Sequence, residues 1–226
     1  MNNPWEVIKL EDYENHMSLE SVMQLQTLNS IMKKQFETYD AETAMVLGVA
    51  GGNGLEHVRR EKFRIVYGVD INADYLSAAT ERHPNLSGVL KCLKLDLMRD
   101  ANELPQAQMV IADLLVEYIG YDAFQTAVLQ VNPEYVSCVI QINTDDKDWV
   151  SDSPYLHSFD KLDEIHQQMD EHRLSETMKE IGFHKILRSV EPLPNGKSFV
   201  RADYKKQIIT DRSRENRDQK IWKKEL

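Results

Sequence analysis

From residue 44 onward, short apolar runs alternate with stretches whose apolar positions recur at helical spacing, the pattern of strand and helix units around a parallel sheet. The runs predict strands over 44–49, 65–70 (IVYGVD), 89–95 (VLKCLKL), 108–112 (QMVIA) and 135–142 (YVSCVIQI). Helices are predicted near 54–63, over 73–83 with Pro84 closing the last turn, and over 121–131, where Phe124, Ala127, Val128 and Val131 share one face. Upstream, Val22, Leu25, Leu28, Met32, Phe36 and Tyr39 fall at helical spacing, which predicts a helix over 18–39 with Ser18 as its N-cap. A further helix over 173–181 runs into Gly182, a residue suited to a C-cap, and two strand-like runs then flank PLPNG at 192–196. The sheet is therefore expected to end in an antiparallel hairpin.

Composition narrows the partners. The 226 residues are 42% hydrophobic and 28% charged, within the range of globular proteins, and nothing resembles a repeat or a low-complexity linker. A formal charge of −10, from 27 Lys and Arg against 37 Asp and Glu, argues against a nucleic-acid backbone as partner, because phosphate binding rests on concentrated basic side chains. Residues 201–226 are the exception, with nine basic and five acidic side chains, and read as a solvated charged tail or as a contact for an acidic partner. Cys92 and Cys138 each sit in an apolar run, the setting of buried free thiols. The start MNNPWEVIKL has no signal-peptide pattern, and no apolar run approaches the ~20 residues of a membrane span. The expectation is a cytoplasmic protein that meets a small molecule, no nucleic acid and no membrane; its oligomeric state is open.

The first predicted strand ends in MVLGVAGGNG at 45–54, a cluster of glycines. Glycines there let the backbone turn tightly and come close to a ligand, and amides at the start of a following helix can donate to it. A phosphate-binding loop is excluded, since the one GKS, Gly196-Lys197-Ser198, has Glu191 where that motif requires glycine. A dinucleotide fingerprint starting at Gly52 and Gly54 has His57 at its third glycine position, which disfavours a nicotinamide-dependent oxidoreductase. Downstream, the second strand ends in Asp70-Ile71-Asn72, the third in Asp96-Leu97, and the fourth in Asp113-Leu114. Each acid alone also suits a helix cap, yet all three fall on one sheet edge, where parallel sheets bind ligands.

On these residues the stretch 44–207 resembles the class I S-adenosylmethionine-dependent methyltransferases. The resemblance implies a three-layer Rossmann-like sandwich: a mostly parallel seven-stranded sheet, an antiparallel terminal hairpin and an N-terminal helical cap. It divides a single domain of 1–226 into a cap (1–42), a core (43–207) and the tail (208–226). It also implies S-adenosylmethionine as cofactor. The methionine moiety would lie on Val49, Ala50, Gly51, Gly52 and Gly54, the ribose on Asp70 beside Ile71 and Asn72, and the adenine on Asp96 and Leu97, with Asp113 and Leu114 closing the row. Two positions depart from the family pattern. Gly48 stands where an acid is frequent, so that Asp113 or the N-terminal helix is left to hold the methionine end, and Ala50 stands where glycine is frequent, although alanine disfavours φ > 0.

Methyl transfer is an in-line displacement, which asks for alignment and a base where the acceptor carries a proton. Candidates are Asp113, Glu117 and Tyr118 in ADLLVEYIG, and His16 in YENHMS, where Tyr13 and Met17 are placed to cover the cofactor as a lid. The irregular stretch 143–161, with Trp149, Tyr155, His157 and Phe159, has the length of a lid or binding wall and equally of a pinned surface loop. No Asn/Asp-Pro-Pro-Tyr/Phe motif follows the fourth strand. Asp113 with Asn143 or Asp145 loosely suits a cation, but TDDKD is equally a solvated turn, and His157 and His166 lack companion cysteines, so no metal is assigned. The alternative to an enzyme is a non-catalytic nucleoside-binding protein of the same fold.

Overall fold

A computed structural model describes residues 3–143, 150, 151 and 153–207; Asp145, Trp149 and the tail 208–226 lie outside the described residues. Seven strands, β1 (Thr43–Leu47), β2 (Ile65–Asp70), β3 (Leu90–Lys94), β4 (Met109–Asp113), β5 (Tyr135–Ile142), β6 (Phe183–Pro192) and β7 (Ser198–Lys206), form one sheet in the order β3-β2-β1-β4-β5-β7-β6. All neighbours are parallel except β7, which runs antiparallel to both β5 and β6. The hairpin turn at Gly196 (φ +81°) lets β6 and β7 pair, with Leu193 N–H donating to Lys197 C=O at 2.9 Å. Ala44, Met45, Val46 and Leu47 are all buried, because β1 lies mid-sheet with both faces covered, and this is why the strand reads as an unbroken apolar run.

The order reverses between β1 and β4, which pair with Leu47 opposite Ala112. Their continuations, Gly48 toward β2 and Leu114 toward β5, diverge and open a crevice at the carboxyl edge.

Helices α1 (Leu10–Ser18), α2 (Gln24–Thr38), α3 (Ala73–Arg82), α4 (Val116–Val131) and α5 (Glu171–Glu180) cover the sheet. Three expectations need correction. The single helix over 18–39 is two, because the chain leaves α1 at Leu19 and Met23 turns back in the left-handed region (φ +53°). Ser18 ends α1 and donates to Asn15 C=O at 3.2 Å, so it caps nothing at its N-terminus. The helix over 54–63 is only a 3-10 turn, Leu55–His57. Its layer is already filled by α2, whose Met32 and Phe36 share one cluster with Leu55, Val58 and Phe63, and whose final carbonyls, Phe36 and Tyr39, accept from Lys62 Nζ.

The third correction matters most for the site. α4 begins five residues earlier than the pattern indicates and is kinked at Gly120 (φ +76°, ψ +169°), where a Cβ would meet the Gln167 side chain at 3.0 Å. The extra first turn carries Glu117 and Tyr118 to the mouth of the crevice.

Candidate functional site

The floor of the crevice is the strand ends: Gly48 and Ala50 after β1, Asp70 and Ile71 at β2, Asp96 and Leu97 after β3, and Asp113 and Leu114 at β4. Tyr75 from α3, Leu115, Tyr118 and Ile119 from the start of α4, and Asn3, Trp5 and Tyr13 from the N-terminal segment complete its walls. Asp70 is tied down by backbone, accepting from Ala50 N–H and from Asn72 N–H, both at 2.9 Å. Burial pushes its carboxyl above the usual range, opposed by those same amides. Asp96 accepts from Met98 N–H at 3.0 Å.

Asp113 accepts on Oδ1 from Gln35 Nε2 at 2.8 Å, while Oδ2, buried, has no partner among the described residues. Burial raises this carboxyl to about 7 against the opposing Gln35 hydrogen bond and Arg201 charge. Trp5 Nε1 and Tyr75 Oη are likewise buried donors without partners among the described residues. Unsatisfied buried groups cost folding free energy, so three of them on one cleft, one anionic acceptor and two neutral donors, point to a ligand that would satisfy them.

Behind Gln35 a buried polar chain anchors the arrangement. Gln35 Nε2 also donates to Ser137 Oγ (2.9 Å), Ser137 Oγ to Asp203 Oδ1 (2.5 Å), and Asp203 is held by Arg201 (2.5 and 2.9 Å) and Tyr39 Oη (2.7 Å). No sequence motif announced this chain.

A second cavity adjoins the first; Trp5, Tyr13, Leu114 and Tyr118 line both. Its remaining walls are mixed, with Met17, Val150, Phe159 and Leu162 set among His16, Gln24, Glu117, Gln141, Ser151 and His166. The Trp5 ring meets Tyr118 edge-on at 5.0 Å and Tyr13 edge-on at 5.7 Å, so an aromatic gate divides the two spaces. Glu117, 3% exposed, accepts from Gln141 N–H at 2.9 Å on Oε1, and its Oε2 has no partner among the described residues. Burial raises it to about 7, opposed by the Gln141 amide. His16 contacts Ser153 Oγ at 2.8 Å and lies 4.9 Å from the Phe159 ring, and burial, helped by Lys197, lowers its pKa. His166 is lowered to about 4, mainly by burial, so both imidazoles are neutral near pH 7.

No protein-family model and no curated sequence matches the chain. Solved structures match its fold. Geranyl diphosphate methyltransferase in complex with SAM aligns at a TM-score of 0.62 and 9% identity, over 80% of this chain and 85% of that one. Magnesium protoporphyrin IX methyltransferase from Synechocystis with bound SAM aligns at 0.57 and 9% identity, over 90% of each chain. The fold is that of the class I S-adenosylmethionine-dependent methyltransferases. The cyclase SpnF has the same fold, at 0.62 and 10% identity over 83% of each chain, so the methyltransferase fold alone does not decide the chemistry.

Within the methyltransferase fold, the residues singled out from sequence fall into two groups. Ala50, Asp70, Ile71, Asp96, Leu97 and Asp113 line the first cleft, His16 and Glu117 line the second, and Leu114 and Tyr118 line both. Val49, Gly51, Gly52, Gly54 and Asn72 line neither. A Cβ on Gly51 would meet Arg82 and Glu14 at 2.6 Å, and one on Gly54 would meet Met32 Sδ at 2.5 Å, so these glycines are where α2 and the Arg82–Glu14 pair come close to the loop. Asn72 caps α3, accepting from Asp74 N–H at 2.9 Å, and donates to Trp5 C=O at 2.9 Å, which fixes the N-terminal segment over the cleft. Ala50 adopts φ +47° despite its Cβ, held by its hydrogen bond to Asp70. Trp5, Tyr75 and Ile119 were missed by sequence reasoning; Asn3 accepting from Trp5 N–H ahead of Pro4 was the available local signal for an ordered first turn. Of the 143–161 stretch, Val150, Ser151 and Phe159 form part of the second cavity wall. Among the described residues no group of three or more His, Cys, Asp or Glu is placed to hold a metal ion, and no helix is long and apolar enough to cross a membrane.

Proposed function

We propose that this protein binds S-adenosylmethionine in the first cleft and transfers its methyl group to a small or medium-sized acceptor in the second. The observation that carries the reading is the adjoining pair of cavities that share Trp5, Tyr13, Leu114 and Tyr118, one lined by the three strand-end acids and the other by the buried Glu117. Bound there, the cofactor supplies an electrophilic methyl on a sulfonium. Asp70 would hold the ribose hydroxyls on lone pairs not used by Ala50 and Asn72, and Asp96 with Leu97 would hold and cover the adenine. Asp113 Oδ2, beside Gly48 on the same cleft, supplies the anionic acceptor for an amino-acid ammonium that the end of β1 lacks. Tyr75 Oη and Trp5 Nε1 are the donors available to the ligand's oxygens.

In this reading residues 1–42 act as a cap on one catalytic domain. The clasp of Arg82 on Glu14, with Nη2–Oε2 at 2.9 Å and a further hydrogen bond from Nη1 to Gly51 C=O, ties that cap to α3. A non-catalytic cofactor-binding protein is the second reading, favoured by the absence of an acid at Gly48. The two separate in one experiment. Calorimetry with S-adenosylmethionine and S-adenosylhomocysteine should show binding of both. Mass spectrometry after incubation with S-adenosylmethionine and a metabolite extract should show a product heavier by one methylene, about 14 Da, from single methyl transfer. Binding without any such product would favour the non-catalytic reading, and no binding would refute both.

A further inference from the structure

Glu117 is the one strongly buried carboxylate of the second cavity, and half of its hydrogen-bonding capacity is unspent. The kink at Gly120 sets the turn that carries it, and the Gln141 amide fixes Oε1 at 2.9 Å, so Oε2 is the carboxyl oxygen left without a partner among the described residues. The cavity offers aromatic and aliphatic surface, Trp5, Tyr118, Phe159, Leu114 and Leu162, beside the neutral polar side chains of Gln24, Gln141 and Ser151 and the two imidazoles.

We propose that the acceptor is a neutral, small, aromatic hydroxyl compound whose O–H donates to Glu117 Oε2, and that Glu117 is the base that takes its proton. This rests on the methyltransferase reading of the same site. A carboxylate or phosphate acceptor would lie against Glu117 and close to Asp113, both acidic, inside a low-dielectric space, where like charges repel strongly. An ammonium acceptor would add a second cation beside the sulfonium and, having no lone pair while protonated, would have to lose its proton before it could react at all. A neutral hydroxyl brings no extra charge and keeps a lone pair while protonated, so its proton can leave as the methyl arrives.

Charge bookkeeping supports the same choice. Before transfer, the site holds a sulfonium cation and the Glu117 carboxylate. As the acceptor oxygen forms its bond to the methyl carbon, the carbon–sulfur bond breaks with its electron pair going to sulfur, and the hydroxyl proton passes to Glu117 Oε2. The products are a neutral thioether, a neutral ether and a neutral carboxylic acid, which later returns its proton to water. No net charge is created or buried during the step. The other groups facing the cavity do not compete for the proton: burial leaves His16 and His166 poor bases and keeps the Tyr118 hydroxyl protonated, while Lys197 acts on the two imidazoles as a cation.

The test is binding, in the presence of saturating S-adenosylhomocysteine, of four probes of matched size: p-cresol, toluene, benzylammonium and benzoate. The wild-type protein should bind p-cresol about tenfold more tightly than toluene, the value of one hydrogen bond to a charged group, and more tightly than either ion. Glu117→Gln should leave S-adenosylhomocysteine affinity unchanged and cut the p-cresol preference to about threefold or less, since a neutral amide accepts more weakly. Failure of the wild-type protein to bind S-adenosylhomocysteine would sink the cofactor reading itself. With S-adenosylhomocysteine bound, a p-cresol affinity no better than toluene, or tighter binding of benzylammonium or benzoate, overturns the hydroxyl acceptor alone. The wild-type probe series decides this even if the variant fails to fold.

Discussion

The carboxylate of Asp70, at the end of β2, accepts the backbone N–H of Ala50 at 2.9 Å and so holds a non-glycine residue at φ +47° in the loop after β1. One acid thereby shapes the loop as well as facing the cleft.

Asp70→Ala should cost roughly 1–3 kcal/mol of stability, because the N–H groups of Ala50 and Asn72 lose their acceptor, and should weaken S-adenosylhomocysteine binding by at least as much. Chemical denaturation and calorimetry on the same preparation check both. Unchanged cofactor affinity in a folded variant would remove Asp70 from the ribose site.

Ala50→Gly relieves a left-handed alanine, worth about 1–2 kcal/mol, at an added unfolded-state entropy of about 0.4–1 kcal/mol. A small net gain in stability, about 0.5 kcal/mol, is expected. A fall in melting temperature would mean that the Ala50 methyl makes a packing contribution larger than its strain.

Asp113→Asn should lower affinity for S-adenosylhomocysteine about tenfold while leaving 5′-methylthioadenosine, which lacks the amino-acid portion, nearly unaffected. Equal losses for both ligands would place Asp113 away from the ammonium.

Glu117 gives a pH signature. Burial raises its carboxyl from 4.5 to about 7, so between those values the folded chain keeps a proton that the unfolded chain has released. Its contribution to stability is full below the lower value and is lost as pH rises through the upper one. The melting temperature of Glu117→Gln relative to wild type should therefore climb between about pH 5 and about pH 8. The lowered His16 and His166 act with the opposite sign in both proteins and cancel in the difference. A flat difference would show that Glu117 is ionised normally.

Arg201→Met should destabilise by about 3–5 kcal/mol, since it leaves Asp203 charged and fully buried with only the Tyr39 and Ser137 hydroxyls. The same variant tests the polar chain to Asp113: wild-type-like S-adenosylhomocysteine affinity in the surviving folded fraction would show that Gln35 alone orients that carboxylate.

The alternating apolar pattern was enough to place five parallel strands, the terminal hairpin and the three strand-end acids, because strand burial and sheet connectivity are written locally, in runs such as Met45–Leu47 and Met109–Ala112 and in turn residues such as Gly196. Asp70, Asp96 and Asp113 were legible for the same reason, as polar residues ending apolar runs. What only tertiary structure decided was everything contributed by the faces that cover the sheet. Local periodicity placed a helix after Gly54, but α2 occupies that layer, and Gly51 and Gly54 lie against Arg82, Glu14 and Met32. The apolar pattern starts α4 only at 121, yet the kink at Gly120 joins one more turn to it, and that turn carries the buried Glu117. Trp5, far from the strand ends in sequence, reaches the cleft because Asn72 holds its carbonyl. Periodicity reports which side of an element is buried; which neighbour buries it depends on long-range packing that no local window contains.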